Sequence, residues 1–152
     1  MTPSGFVTWQ HEFARVLADR QVAAGVWPTH RAHERAQAVS AELLPQGLDT
    51  PGMLLLEGVL PDGTPIGWLW ITLQHPHGTP DCAFLYDIGV DAEHRGRGLG
   101  RALLKAAEMT VVGAGIGALE LNVFVQNTVA VALYDSAGYT ATTQRMIKHL
   151  AS

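Results

Sequence analysis

Two spacings of apolar residues divide the chain into a helical first part and a strand-rich middle part. Apolar side chains recur every three to four residues from position 9 to about position 25, at Trp9, Phe13, Val16 and Leu17, which is the period of an amphipathic α-helix. Residues 27–29 break this helix, and Thr29 is in a position to cap a second one. The second helix carries a weaker apolar stripe that ends near position 45 and consists of Ala32, Ala36, Val39 and Leu43.

From position 53 onwards the pattern becomes typical of β-strands. Residues 53–60 and 65–73 are apolar runs, and the turn-rich link between them, Pro61-Asp62-Gly63-Thr64, has the length of a hairpin loop. Residues 74–81 contain two prolines and a glycine and form a loop before a third apolar run at 83–90. The middle of the chain is therefore predicted to be a three-stranded antiparallel meander.

The helical period returns at Gly98 and continues to about Met109. A glycine-rich link follows, and then residues 118–125 are predicted as a fourth strand and 127–137 as a helix that Gly138 ends. We expect residues 139–149 to close the sheet as a final strand. Helices and strands that alternate in this way predict an α/β (α+β) protein, and the length of the chain suggests one domain over residues 1–152.

The composition is that of a globular protein in which positive charge is unevenly placed. Apolar residues make up 47% of the 152 residues and the net charge is −4, which argues against disorder and against a nucleic-acid partner. Four of the ten Lys and Arg residues nevertheless lie in one short segment without acidic residues, at Arg95, Arg97, Arg101 and Lys105. Such a segment suits a small polyanion, although a solvated helix face is the alternative.

Several classes of site and compartment are not expected. The single cysteine, Cys82, rules out an internal disulfide and a multi-cysteine metal site and favours a reducing compartment, so we expect the cytoplasm. No run of about 18 apolar residues is present, so no membrane contact is expected. His75 and His77 flank a proline in a loop without a further ligand cluster, so we expect no metal ion.

A glycine-rich turn between the third strand and the next helix has the chemistry of an anion site. In Arg95-Gly96-Arg97-Gly98-Leu99-Gly100, unpaired N–H groups at the helix start would carry partial positive charge, and the glycines would let a phosphate approach them. Arg101 follows where a P-loop needs lysine and a dinucleotide fingerprint needs a small residue, so both are excluded. The glycines of residues 113–117 match the fingerprint spacing but follow a helix. A tight connection without a ligand is the alternative for residues 95–100.

Three motifs in the second half of the chain, in the same order, resemble the GNAT superfamily of N-acetyltransferases. The signature Arg/Gln-x-x-Gly-x-Gly/Ala is present as Arg95, Gly98 and Gly100, the next strand ends in Gln126-Asn127, and residues 130–139 match Ala-x-x-Leu-Tyr-x-x-x-Gly-Tyr. The resemblance implies the GNAT fold, a mixed and mostly antiparallel sheet with splayed central strands and helices on both faces. It also implies acetyl-coenzyme A (acetyl-CoA) as cosubstrate and an amine acceptor, either a small molecule or a protein or peptide. A homodimer is possible, and the sequence does not decide the oligomeric state.

The resemblance further implies roles for individual residues in binding and in acid catalysis. The backbone of Ile88, Gly89 and Val90 would pair with the pantetheine arm. The pyrophosphate would be held by Arg95, Gly96, Arg97, Gly98, Leu99, Gly100 and Arg101. Asn127 would contact the cofactor or fix the splayed strand, and a helix cap is the alternative role. Tyr134 occupies the position of a tyrosine that protonates the departing thiolate, and a packing tyrosine is the alternative.

The acceptor side carries weaker signals. Asp87 is the first candidate for the base that deprotonates the amine, because it interrupts an apolar strand where a buried carboxylate would be costly. It could instead bind the cation of the substrate or a backbone N–H, and Glu57 and Glu120 are weaker candidates. In this superfamily the first helices usually build the acceptor site, so Trp9, Trp27 and the loop 46–52 are candidate contacts. The second hypothesis is a non-catalytic acyl-CoA sensor, against which Tyr134 argues.

Overall fold

Residues 1–151, which the computed structural model describes, form four α-helices and one four-stranded sheet. The helices are α1 (Pro3–Ala23), α2 (Thr29–Leu43), α3 (Leu99–Gly113) and α4 (Thr128–Ser136). The strands are β1 (Met53–Val59), β2 (Pro65–Thr72), β3 (Cys82–Val90) and β4 (Ala118–Leu121). Two single turns of 3-10 helix precede β1 and α3, at Gly47–Asp49 and Ala92–His94. The predicted order of helices and strands is thus confirmed as far as α4.

The two N-terminal helices begin in different ways. Helix α1 starts earlier than its apolar stripe, because the Thr2 hydroxyl accepts a hydrogen bond from the N–H of Gly5 at 3.1 Å and Pro3 occupies the first turn. Helix α2 starts at Thr29 itself, with Pro28 as the N-cap and without a side-chain cap. The prediction that Thr29 caps this helix is therefore wrong by one position. The restricted backbone of Pro28 sets the helix start instead.

The sheet has the order β1-β2-β3-β4, and its last pair behaves differently from the first two. Strands β1, β2 and β3 pair antiparallel along most of their length, which confirms the predicted meander. Strand β4 is parallel to β3, and the pairing runs only from Cys82 opposite Ala118 to Leu85 opposite Leu121. Residues 86–90 of β3 continue beyond that point without β4 beside them. This is the opening between splayed strands that the resemblance implied.

Helices cover both faces of the sheet, as expected. On the α1 face, Trp9 of α1 packs with Leu55 and Trp70 of the sheet. On the α3 face, Leu103 and Leu104 of α3 pack on a cluster from β2 and β3 that includes Leu69, Ile71, Ala83 and Leu85. Tyr134 brings α4 onto the α3 face. Small residues, Ala14, Ala18, Ala32 and Ala36, join α1 to α2.

Two predictions about the end of the chain are wrong. Strand β4 ends at Leu121 rather than near Val125, because its partner β3 has already separated from it. Residues 140–151 form no strand, and Met146 and Leu150 are 86% and 82% exposed. Two physical reasons account for this difference: residues 140–145 lack the alternation that would give a strand an apolar face, and β4 offers an edge of only four residues.

Candidate active site

The glycine turn before α3 presents bare backbone to solvent. Gly96 and Gly98 have φ angles of 77° and 76°, in the left-handed region that glycine adopts without strain. Gly98 is the N-cap of α3 and provides no side-chain cap, and the first helical hydrogen bond runs from Ala102 to its carbonyl. The N–H groups of residues 99–101 therefore have no partner inside the helix. A Cβ at Gly96 or Gly98 would meet nothing within 4 Å, so the turn is open to an anion.

Two of the three arginines in and next to this turn already make hydrogen bonds within the protein. Arg95 donates from Nε to the carbonyl of Val90 at 3.0 Å, which ties the turn to the end of β3. Arg101 donates to the hydroxyl of Ser136 and so joins α3 to α4. Arg97 is exposed, and no carboxylate of residues 1–151 lies within ion-pair distance of it. Of the three predicted cationic contacts, Arg97 is therefore the one that is free to move towards a phosphate.

The strand segment predicted to pair with pantetheine lies beside the opening. Ile88, Gly89 and Val90 are hydrogen-bonded to β2 on one side, where they lie opposite Leu69, Trp68 and Gly67. Their other edge faces the side from which β4 has departed after Leu121. An extended, amide-containing ligand can add to such an edge in the manner of a further strand.

A β-bulge determines the face of the sheet on which Asp87 lies. Trp70 is opposite Asp87, but the next residue, Ile71, is opposite Leu85, so Tyr86 is an extra residue in β3. Tyr86 stacks on Trp70 with ring centroids 4.6 Å apart, on the α1 face. Asp87 follows it onto the same face, whereas strict alternation from Leu85 would have placed Asp87 on the α3 face.

Two indole N–H groups hold the carboxylate of Asp87. Trp68 donates to Oδ2 at 2.6 Å and Trp9 donates to the same oxygen at 3.0 Å, and we call this pair of tryptophans the indole clamp. Gly89 makes room for it, because a Cβ there would collide with the Trp68 ring. Burial raises the pKa of Asp87 above its usual value, while the indole clamp and the charge of Arg20 act in the opposite direction. Asp87 is thus a fixed carboxylate with an elevated proton affinity.

Tyr134 is buried in the α3-face core, within electrostatic reach of Asp87. Burial raises the pKa of its phenol, the charge of Arg20 lowers it and the charge of Asp87 raises it. The net direction is upward, so the phenol keeps its proton at neutral pH. Within residues 1–151 we find no protein hydrogen-bond partner for the Tyr134 hydroxyl. Its neighbour Tyr139, 5.8 Å away between ring centroids, donates to Glu108 at 3.0 Å.

Asn127 is the N-cap of α4. Its side-chain oxygen accepts a hydrogen bond from the N–H of Ala130 at 3.4 Å. This confirms the alternative role of Asn127 as a helix cap. A direct contact between Asn127 and the cofactor stays a prediction.

The weaker carboxylate candidates lie away from Asp87. Glu57 is exposed on β1. Glu120 lies 3.0 Å from Nε2 of His75, so this loop histidine has a structural contact that the sequence did not indicate. The sequence could not show the contact because the two residues are far apart along the chain. The elements that carry them are joined by a hydrogen bond from Gly117 N–H to Asp81 at 2.8 Å.

Cys82 lies beside His75 and Glu120, with ligand atoms of all three within 4.8 Å of one another. The N–H of His77 donates to Nδ1 of His75 at 3.1 Å, so a neutral His75 ring carries its proton on Nε2, towards Glu120. That nitrogen then has no lone pair for a metal ion. Burial also raises the pKa of the Cys82 thiol, which disfavours the thiolate that nucleophilic attack requires.

The N-terminal candidates divide into one contact at the site and two structural elements. Trp9 reaches Asp87, whereas Trp27 packs against the interface of α1 and α2. The loop 46–52 is held by the Thr50 hydroxyl, which donates to the carbonyl of Gly47 at 2.8 Å. Neither Trp68 nor Arg20 was predicted as a site residue, since Trp68 has the sequence context of a core strand residue and Arg20 that of a solvated helix face.

The model of the acetyltransferase (GNAT) family matches residues 10–139 of this chain. The chain therefore belongs to the GNAT family and is an acetyltransferase, which confirms the family and the fold that the three motifs implied. Over 133 residues it is 35% identical to the uncharacterized N-acetyltransferase YycN of Bacillus subtilis (strain 168), a match that covers 88% of this chain and 85% of YycN. The crystal structure of YycN superposes with a TM-score of 0.93 and 32% identity, covering 100% of this chain and 96% of YycN.

Two further proteins extend the comparison. The uncharacterized N-acetyltransferase YdgE of the same organism is 29% identical over 150 residues, which are 99% of this chain and 95% of YdgE. At the level of the fold alone, the chain resembles the PaiA N-acetyltransferase of Thermoplasma acidophilum in complex with coenzyme A, with a TM-score of 0.66, 20% identity and coverage of 95% and 89%. Among residues 1–151, none of the helices has the length and apolar character that a membrane span requires.

Proposed function

We propose that the protein transfers the acetyl group of acetyl-CoA to a primary amine, which attacks the thioester directly while both substrates are bound. The observation that carries this proposal is the position of the glycine turn, Asp87 and Tyr134 around the point at which β3 and β4 separate. The turn offers free N–H groups for a pyrophosphate, and Asp87 and Tyr134 are an acceptor and a donor of protons that act on one another electrostatically. The proposed acetyltransferase domain comprises the whole chain, residues 1–152.

The donor is bound mainly by backbone in this proposal. The N–H groups of residues 99–101 bind the pyrophosphate, with Arg97 adding charge from the exposed side. The free edge of Ile88–Val90 hydrogen-bonds the amides of the pantetheine arm and directs the thioester into the opening. The fit rests on the bare surface of Gly96 and Gly98, where any larger side chain would stand between a phosphate and the helix start.

Asp87 and Tyr134 manage the protons of the transfer. Asp87 accepts a proton from the incoming ammonium group, so that its nitrogen has a lone pair for attack on the acetyl carbon. The new bond joins this nitrogen to the acetyl carbon, and the bond between that carbon and sulfur breaks. Tyr134 gives its phenolic proton to the sulfur. The nitrogen loses two protons in all: one restores Tyr134, and the other leaves to solvent through Asp87.

The experiment that tests this function is a measurement of thiol release from acetyl-CoA with panels of amino acids, polyamines, aminoglycosides and peptides. We expect at least one amine to accelerate release and to appear as its N-acetyl derivative by mass spectrometry. Acetyl-CoA should raise the melting temperature, while NADH and ATP should not, since only acetyl-CoA suits both the glycine turn and the strand edge. Equal stabilisation by NADH, or thiol release that no amine accelerates, would contradict the proposal.

A further inference from the structure

A small cavity lies on the α1 side of the opening between β3 and β4. It has a volume of about 250 Å³ and is lined by Arg20 and Ala23 of α1 together with Phe124, Gln126 and Asn127. The last three residues occupy the segment after β4, where the N–H of Asn127 bonds the carbonyl of Phe124 at 3.0 Å and closes a turn. The cavity therefore exists because β4 ends early and the chain turns towards α1.

The position of the cavity separates it from the proposed phosphate site. The glycine turn and Tyr134 belong to α3 and α4 and to the core of the α3 face. Arg20 and Ala23 belong to α1, which packs on the opposite face through Trp9. Asn127, the predicted cofactor contact, also lines the cavity, so the cavity adjoins the proposed donor site, while Arg20 and Ala23 line it from the opposite face.

Arg20 brings an uncompensated positive charge to the cavity. No carboxylate of residues 1–151 lies within ion-pair distance of its guanidinium. By contrast, Arg15 of the same helix is paired with Glu12 at 2.6 Å and with Asp19 at 3.3 Å. The other groups that line the cavity are neutral, since they are an alanine, a phenylalanine and two amides. A ligand that carries an anionic group would find its only charged partner there in Arg20.

The charge of Arg20 also acts on the proposed reaction centre. It lowers the pKa of Asp87, against the larger effect of burial and together with the indole clamp. It likewise lowers the pKa of Tyr134, against burial. Arg20 is thus within electrostatic range of both residues.

We propose that this cavity is the acceptor subsite and that Arg20 selects amines that also carry a carboxylate, as free amino acids do. The inference rests on the proposed function. A guanidinium offers two parallel N–H donors that match a carboxylate, and Asp87 offers the opposite charge to the ammonium group of the same molecule. The volume suits an acceptor of amino-acid size. Polyamines and aminoglycosides, which carry several positive charges and no anion, are disfavoured by the same arginine.

The test compares amino acids with their carboxamides, which keep the amine and lose the anionic group. Thiol release is measured with saturating acetyl-CoA for each pair. We expect the parent protein to prefer the carboxylate form by 10-fold or more in kcat/KM. Arg20→Gln should remove this preference by raising KM for the carboxylate form by about 10- to 100-fold, the usual value of a charged hydrogen bond. KM for the carboxamide and for acetyl-CoA should stay within about twofold of the parent values.

Two further variants control for charge in general. Arg15→Gln removes a cation from the same helix but outside the cavity, and the preference should remain. Arg20→Lys keeps the charge without the two parallel donors and should give an intermediate preference. Circular dichroism should show an unchanged fold, because both arginines are exposed.

Different experimental results would contradict the inference and the proposed function. If carboxamides or polyamines react as well as amino acids, or if Arg20→Gln raises KM equally for both members of each pair, the inference is wrong while the function stands. A rise in KM for acetyl-CoA in Arg20→Gln would assign Arg20 to the donor and overturn the inference as well. Faster reaction of amines with a phosphate in place of the carboxylate would overturn the choice of carboxylate. If no amine reacts, the proposed function itself is wrong.

Discussion

The two faces of the sheet contribute different kinds of groups to the candidate site, backbone on one face and side chains on the other. On the α3 face the glycine turn is made of backbone, and its conformation depends on a few consecutive residues that include Gly96 and Gly98. On the α1 face the surroundings of Asp87 are made of side chains from α1, β2 and β3. A backbone site can be recognised from local sequence, whereas a side-chain site comes into being only when distant segments pack together.

This contrast also separates the tasks of the two faces. The α3 face offers fixed N–H dipoles that suit the phosphates shared by every acyl-CoA donor. The α1 face offers the charges of Asp87 and Arg20 and the cavity that we propose for the acceptor. The four predictions below test the division, beginning with the largest expected effect.

Changing Gly98 to valine should abolish phosphate binding at the glycine turn. A β-branched residue is strained at a φ of 76°, and its side chain would stand where the phosphate approaches. We expect the affinity for acetyl-CoA, measured by calorimetry, to fall by ~10²-fold or more, with helical content retained. Gly100→Ala is the matched control, because a Cβ there meets only Leu133 and Val90, at 3.7 and 4.0 Å. Unchanged affinity in Gly98→Val would mean that the phosphate site lies elsewhere.

Changing Tyr134 to phenylalanine removes one proton and keeps the ring. Turnover should fall by roughly 10²-fold, the lower end of the range for a general acid, while the affinity for acetyl-CoA stays the same. Tyr139→Phe serves as the control, since that hydroxyl is hydrogen-bonded to Glu108. Turnover within about twofold of the parent, with chemistry shown to be rate-limiting, would leave Tyr134 with a packing role.

Changing Asp87 to asparagine should give a defect that depends on pH. At neutral pH most acceptor amines are protonated, so loss of the base should lower turnover by up to ~10²-fold. The defect should shrink as pH rises, because fewer amines then need a base. A defect of the same size at every pH would indicate that Asp87 binds substrate or supports the structure and does not accept the proton.

Changing Trp68 to phenylalanine should produce the smallest effect, a shift in the pH profile. The indole stabilises the charged carboxylate, so its loss raises the pKa of Asp87 further. The acidic limb of turnover should therefore move to higher pH, while the rate well above it changes at most a few-fold. Trp9→Phe should move the limb in the same direction. Trp70→Phe, which loses a contact with Met53, should lower the melting temperature and leave the limb in place.

The same contrast explains which parts of the molecule the sequence could predict. Helices α1 to α4 follow from their helical periodicity. Strands β1 to β3 follow from apolar runs, and the runs of β2 and β3 are nearly continuous because helices cover both faces of the sheet. The glycine turn follows from local spacing. The end of β4 and the course of residues 140–151 depend on where β3 separates from its neighbour, which is a property of the sheet as a whole.

Individual site residues show the limit of sequence reasoning more clearly. Asp87 could be found because a carboxylate is unusual in an apolar strand, but nothing near it indicated which face it would occupy. Trp68 looked like any buried strand residue until its N–H was seen 2.6 Å from Asp87. Arg15 has acidic partners because Glu12 and Asp19 lie three and four residues away on the same helix, a spacing that the sequence shows. The place of Arg20 at a cavity depends instead on how α1 packs against the segment after β4, which the sequence does not show.

The extra residue in β3 reverses the reading frame in which side chains alternate between the two faces of the sheet. Up to Leu85 one frame of two residues assigns side chains to the faces, and from Asp87 onwards the other frame applies. A relative that lacked this one insertion would place an aligned carboxylate on the α3 face instead of the α1 face. Alignments of this strand should therefore count positions back from its C-terminal end at Val90, so that residues 87–90 keep the register that places Asp87 on the α1 face.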